Sequence, residues 1–205
     1  GASTPTLSGS NNYSGPTTVN GGTLVITGTN STGGAVNING SAATPALVNL
    51  QNSNALGTGV VTATNRNSGI QLQGGITLPS TVTFVTSNDG IGATVPYAIA
   101  NLGGDNTING TITLTLGGGG SVIQSDAGSL TLAGNISIAA GQSSRGIILQ
   151  GASTGANTFS GVLSDLSTSS KASITKYGTG TWTLSNTSTY TGATTVAAGI
   201  LAVNG

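Results

Sequence analysis

Residues 184–205 read LSNTSTYTGATTVAAGILAVNG, and residues 7–28 read LSGSNNYSGPTTVNGGTLVITG. The two stretches align without a gap at an offset of 177, with 10 of 22 positions identical. The matches include Leu7/Leu184, Tyr13/Tyr190, Gly15/Gly192, Val19/Val196, Gly22/Gly199, Leu24/Leu201 and Gly28/Gly205. Internal repetition is the signature of solenoids, in which each unit covers the apolar face of its neighbour. With a turn of roughly 20–25 residues, the offset holds about seven to nine turns.

Between the two copies, short strand signals recur as apolar–x–apolar–x–Gly: Val36-Asn37-Ile38-Asn39-Gly40, Ile70-Gln71-Leu72-Gln73-Gly74, Leu130-Thr131-Leu132-Ala133-Gly134. Alternation with period two places one face of each strand inward and the other in water. Gly supplies the corners, because it reaches backbone angles closed to other residues. Composition leads the same way. Gly, Ser, Thr and Asn together make 113 of the 205 residues, while Leu, Ile, Val and Phe make 47. Much of the aliphatic mass is β-branched, which favours strands. There is no Glu or Met and there are only two Lys, so helix formers are scarce. Net charge is zero and mean hydropathy is +0.19, unlike the high-charge, low-hydropathy profile of disordered chains. These observations predict an all-β chain: one segment, 1–205, a parallel β-helix of roughly nine short coils, with related units at 7–28 and 184–205.

The segment Lys176-Tyr177-Gly178-Thr179-Gly180-Thr181-Trp182-Thr183-Leu184, followed by Tyr190-Thr191-Gly192-Ala193-Thr194-Thr195-Val196 and Gly199-Ile200-Leu201, resembles the autotransporter passenger-associated β-strand repeat. That repeat reads approximately K-x-G-x-G-x-L-x-L-x-G…T-Y-x-G-x-T-x-V-x-x-G-x-L. Trp182 stands in place of its first Leu and Asn186 in place of the usual Gly; the copy at 7–28 lacks the leading Lys and Gly pair. The resemblance implies a right-handed parallel β-helix from a secreted or surface-displayed bacterial protein. On that reading Gly178 and Gly180 form turns, Leu184 and Val196 point inward, and Tyr190 with Trp182 covers a corner.

Chemistry is sparse. With no His or Cys there is no imidazole base, no thiol, and no common nitrogen or sulfur metal ligand. Arg66, Arg145, Lys171 and Lys176 are too dispersed for a nucleic-acid or anionic-membrane footprint, and no run of about 18 apolar residues spans a bilayer. The carboxylates are Asp89, Asp105, Asp126 and Asp165. The spacing of Asp105 and Asp126 is close to one coil, so they could stack as an acid/base pair for glycan cleavage. The stronger reading makes Asp89-Gly90 and Asp105-Asn106 turn residues whose side chains bond their own backbone. Gly103-Gly104-Asp105 lacks the tandem copies of a calcium repeat, and Gly117-Gly118-Gly119-Gly120 is read as a corner loop rather than an anion cradle. Thr111, Thr113 and Thr115, and likewise Thr179, Thr181 and Thr183, form rows that could order water, though exposed strands favour Thr anyway. Trp182, Tyr13, Tyr97, Tyr177 and Tyr190 could form a sugar-stacking surface, with corner packing the stronger reading for Tyr13, Trp182 and Tyr190. The sequons at Asn12, Asn30, Asn39, Asn109, Asn135 and Asn186 are expected from composition alone.

No catalytic, cofactor or metal residue is therefore assigned. The expectation is a non-enzymatic structural module of an extracellular or cell-surface bacterial protein, either a processed chain or part of a longer one. Neither end reads as a cap, so end-to-end self-association or continuation in a longer chain is expected. The alternatives are an adhesin that binds glycans or host surfaces through a lateral face, then a polysaccharide-cleaving or ice-binding β-helix. Nucleic-acid binding and membrane insertion of this segment are not expected.

Overall fold

The computed structural model describes residues 4–115 and 120–205, and the chain winds as a parallel β-solenoid. Three turns begin it: β1 (Thr6–Leu7), β2 (Ser10–Asn11) and β3 (Thr17–Val19); β4 (Gly22–Ile26), β5 (Thr29–Asn30) and β6 (Val36–Ile38); β7 (Ala46–Leu50) and β8 (Val60–Ala63). Three more follow: β9 (Ser68–Gln73), β10 (Thr77–Leu78) and β11 (Thr83–Thr86); β12 (Ile99–Gly103), β13 (Asn106–Ile108) and β14 (Ile112–Leu114); β15 (Ser121–Ser125), β16 (Leu130–Leu132) and β17 (Ile136–Ile138). The C-terminal part has β18 (Arg145–Gln150) and β19 (Asn157–Phe159), β20 (Ala172–Lys176) and β21 (Thr181–Leu184), and β22 (Thr194–Val196) and β23 (Ile200–Val203). The described residues contain no helix. Gly117, Gly118 and Gly119 of the expected corner loop lie outside the described residues.

The first side of the solenoid is a nine-stranded sheet, β1-β4-β7-β9-β12-β15-β18-β20-β22. The second is β10-β13-β16-β19-β21-β23, with the short β2-β5 pair at that place in the first two turns. The third is β3-β6-β8-β11-β14-β17, extended by one bridge from Leu163 to Ile136. Every strand pair is parallel. The first side is thus crossed nine times, but the third is crossed by six strands and one bridge, which makes about seven complete turns rather than nine. Inward-pointing aliphatics from all three sides fill the core, with Phe84, Phe159 and Trp182 among its largest side chains. Trp182 is fully buried in β21, where its Nε1 donates to the Gln150 carbonyl at 3.2 Å. It is a core residue and not the corner cover expected from the motif, because it takes an inward-pointing position of the repeat.

Turn length is uneven. Near the start, one turn carries the chain from Thr6 only to its partner Val25; further on, a turn runs from Thr77 all the way to Thr107. Corners absorb the difference, and some of them stack so closely that only glycine fits. A Cβ on Gly134 would lie 2.0 Å from the Gly110 carbonyl oxygen, and one on Gly161 would lie 2.0 Å from that of Gly134.

The two related units do not occupy the same sides. In residues 7–28 the run is β1, β3, β4, on the first, third and first sides; in residues 184–205 it is the end of β21, then β22 and β23, on the second, first and second sides. The offset between the copies is therefore seven turns plus one side, and the C-terminal copy is rotated by one face about the solenoid axis. Rotation leaves the internal contacts intact: Thr17 Oγ1 donates to the Tyr13 hydroxyl at 3.0 Å, and Thr194 Oγ1 is bonded to the Tyr190 hydroxyl at 2.6 Å.

Candidate functional site

The four carboxylates are dispersed. Asp89 pairs with Arg66 at 3.0 Å, with its own side chain fully buried. Asp105 lies directly before β13 and accepts from both the amide and the hydroxyl of Ser129, each at 2.9 Å. Asp126 accepts from Gln124 Nε2 at 2.7 Å. Asn106 pairs with Leu130, so Ser129 and not Asp126 sits on the rung above Asp105. The turn is longer than the spacing of the two carboxylates, and they are not stacked. Asp165 accepts from the Ala172 amide at 2.7 Å and from the amide and hydroxyl of Thr191. The Thr191 hydroxyl, with those amides, holds its carboxyl below the usual carboxylate range. Among the described residues no three acidic side chains converge to hold a metal ion.

Two of the cations, Arg145 and Lys176, serve the backbone. Arg145 Nε donates to the Thr115 carbonyl at 2.8 Å, and its guanidinium reaches Ser143, Ser144 and Gln142. Lys176 is fully buried, and its ammonium donates to the carbonyls of Tyr177, of Gly178 at 2.9 Å and of Ala198 at 3.3 Å. It ties together two successive corners, and burial pushes its pKa down.

A lateral groove lies on the wall beside a long loop. The connection from β11 to β12 is long, and residues 87–97 form a loop laid over the outside of the nine-stranded sheet. Asn88 Nδ2 pins the base of this loop to the carbonyls of Ser68, Val95 and Tyr97, while Arg66 holds both Asp89 and the Ile91 carbonyl. Gly69 leaves the hollow in which Val95 and Tyr97 sit: a Cβ there would lie 2.8 Å from Val95 Cγ1 and 3.1 Å from the Tyr97 ring. Burial raises the Tyr97 pKa, partly offset by its hydrogen bond from Gln71 Nε2 at 2.7 Å. Beyond the loop lies an open groove of about 390 Å³, lined by Gly90, Ile91, Pro96, Val122, Ile148, Gln150 and Tyr177, with Asp89 at its rim. Ile91 is 63% exposed and Tyr177 47%.

Along the same wall stand two pairs of amides in register, separated by Ala100. Asn49 pairs with Gln71 and Gln124 with Gln150, with side-chain bonds of 3.2 and 2.7 Å. On the second side, Thr77, Thr107, Thr131, Thr158 and Thr183 stand in register on five successive turns. The expected Thr rows run along strands instead: Thr113, for example, stacks between Val85 and Ser137. The five-turn ladder escapes sequence inspection because no constant spacing separates its members.

The ends differ from the wall. Val19 in β3 is 8% exposed and Ile26 in β4 is 1%, whereas their counterparts Val196 and Val203 are 53% and 65% exposed. β6 and β7 cover the first two; β22 and β23 are the outermost strands of their sheets. Val196 takes the inward register of Lys176, and Val203 that of Leu184. Both are core positions without a covering turn among the described residues.

Residues 1–26 and 174–203 match the family model of the passenger-associated-transport-repeat. Both ends of the chain carry this repeat. The matched segments overlap the units that the fold places seven turns and one side apart, and they make up about a quarter of the chain. Over 86 residues, 42% of the chain, the sequence is 35% identical to the Adhesin BmaC autotransporter of Brucella suis biovar 1 (strain 1330). The chain spans about 2% of the length of that curated relative. No solved structure matches the chain.

Proposed function

We propose that the chain is a non-enzymatic stalk segment of a secreted or surface-displayed bacterial protein, and that its open ends take further turns of the same kind. The passenger repeats and the match to an autotransporter adhesin support the setting; the unequal burial of equivalent repeat positions carries the stacking. Val19 and Val196 are the same residue in the same unit, differing because β6 covers one and no described strand covers the other. A site that buries its valine at one end of the rod is built to bury it at the other.

The glycines support this. Gly192 is required where it stands, since a Cβ would lie 2.0 Å from the Ala172 carbonyl. Its counterpart Gly15 has nothing within 4 Å, although the two glycines above it, Gly34 and Gly59, each sit close over the carbonyl of the one below. Gly15 fits a column that continues beneath the first turn. In a solution of the isolated chain, the turn that does this comes from the C-terminal end of a second copy. Such contacts are head to tail and do not close, so they propagate into filaments. Light scattering over a wide concentration range is expected to show mass growing with concentration; a monomer at all concentrations would overturn the stacking.

A further inference from the structure

We propose that the groove beside the 87–97 loop is a binding site for a neutral saccharide, with Tyr177 as the stacking platform. The proposal concerns the wall and stands independently of what the ends do. In solenoids, insertions within a repeat gather on one face, and that face is often the binding one. The turn holding this loop is long for the first side: the stretch from Ile70 to its partner Ile99 exceeds that from Ala46 to its partner Ser68. The extra residues are held rather than loose. Asn88 and the Arg66–Asp89 pair fix the base, and Val95 with Tyr97 fills the hollow over Gly69. A fixed loop holding a large aliphatic residue, Ile91, in water is a wall made to meet something.

The opposing surfaces define what. The floor is apolar, Val122 and Ile148 lying side by side in register on β15 and β18. The far side carries an exposed phenol ring, Tyr177, and an amide, Gln150. Gln150 donates one amide proton to Gln124, which in turn donates to Asp126, so its head is held in place while a second proton and a carbonyl remain for a ligand. The one ionised side chain at the rim, Asp89, is buried against Arg66 and offers no free charge. A groove with an apolar floor, an aromatic edge and neutral amides suits a ligand that is itself two-faced and uncharged. A pyranose fits that description, with C–H groups on one face and hydroxyls at its rim. The volume lies in the range of small-ligand sites and admits one or two such rings, the groove remaining open so that a longer chain can run through.

The test is a panel of immobilised neutral hexasaccharides built from glucose, galactose or mannose, probed with the whole chain by biolayer interferometry. The expected result is sub-millimolar binding to at least one member. Tyr177→Ala should weaken that binding at least tenfold, while Tyr177→Phe, which keeps the ring, retains it within about threefold. Circular dichroism melts of both variants should match the parent, since Tyr177 is half exposed. Absence of binding to every panel member at millimolar concentration would overturn the proposal. So would binding that survives Tyr177→Ala, or capture of an extended apolar peptide in preference to any sugar.

Discussion

Asp165 illustrates what a charge does in a chain that carries so few. Its carboxylate gathers the amides of Ala172 and Thr191 and the Thr191 hydroxyl, and so holds the loop after Leu163 against the turn above it. Because these bonds favour the ionised form, its pKa in the folded state lies below the unfolded value. A carboxyl of this kind contributes stability above its unfolded pKa and loses that contribution as pH falls through the folded one. The thermal midpoint of the parent chain is therefore expected to drop between pH 5 and pH 2, and that of Asp165→Asn to drop less over the same interval. Equal slopes in scanning calorimetry would show that Asp165 is not the group that titrates. Lys176 shows the complementary use of charge. Its neighbours in register are Leu149 and Val196, and its head collects corner carbonyls that would otherwise lack a donor. The leading Lys of the repeat thereby gains a physical role: it closes a corner, and it is not a ligand-binding cation.

At the scale of the element, the stacked corners set the most stringent demands on sequence. Gly110, Gly134 and Gly161 form a column in which each carbonyl occupies the space where the next residue would carry a Cβ. Gly134→Ala must therefore push two turns apart, and the expected cost is about 3 kcal/mol, the upper part of the usual range for forcing a methyl group into a packed interior. Gly15→Ala meets nothing within 4 Å and should stay within about 0.5 kcal/mol of the parent in a dilute, unstacked sample. Urea titrations of the two variants distinguish steric demand from glycine content as such. What the sequence made legible follows from this geometry. Alternation with a closing Gly marked the strands and their inward faces, and the paired units marked the solenoid. The period was not legible, because turns as short as Thr6 to Val25 and as long as Thr77 to Thr107 coexist, each corner loop taking up its own excess. That is why Asp105 and Asp126 looked stackable and are not, and why five threonines in register went unseen. The groove was hidden for the same reason. Tyr177 was visible as an aromatic, but its meeting with the distant Ile91 depends on how far the long loop folds back over the sheet.

For the molecule as a whole, the proposed stacking of turns onto the terminal strands offers the sharpest test. Val196 and Val203 point along the core direction of their sheets, so a charged residue there is harmless while the end is bare and costly once another turn covers it. The double variant Val196→Lys/Val203→Lys should keep the parent's β-sheet circular dichroism and its melting profile in dilute solution. It should also remain monomeric at concentrations where the parent assembles. Nine strands in the longest sheet, at about 4.8 Å each, predict an axial repeat of roughly 43 Å for each copy in a head-to-tail filament. The one-face rotation between the terminal units adds a second expectation. If the N-terminal unit of one copy continues the C-terminal unit of the next with the register used inside the chain, successive copies are turned about the axis rather than translated alone. Electron microscopy of parent filaments should then show a helical and not a purely translational repeat. Filaments that persist in the lysine variant would mean that copies associate through their walls, and would remove the ends from the mechanism of assembly.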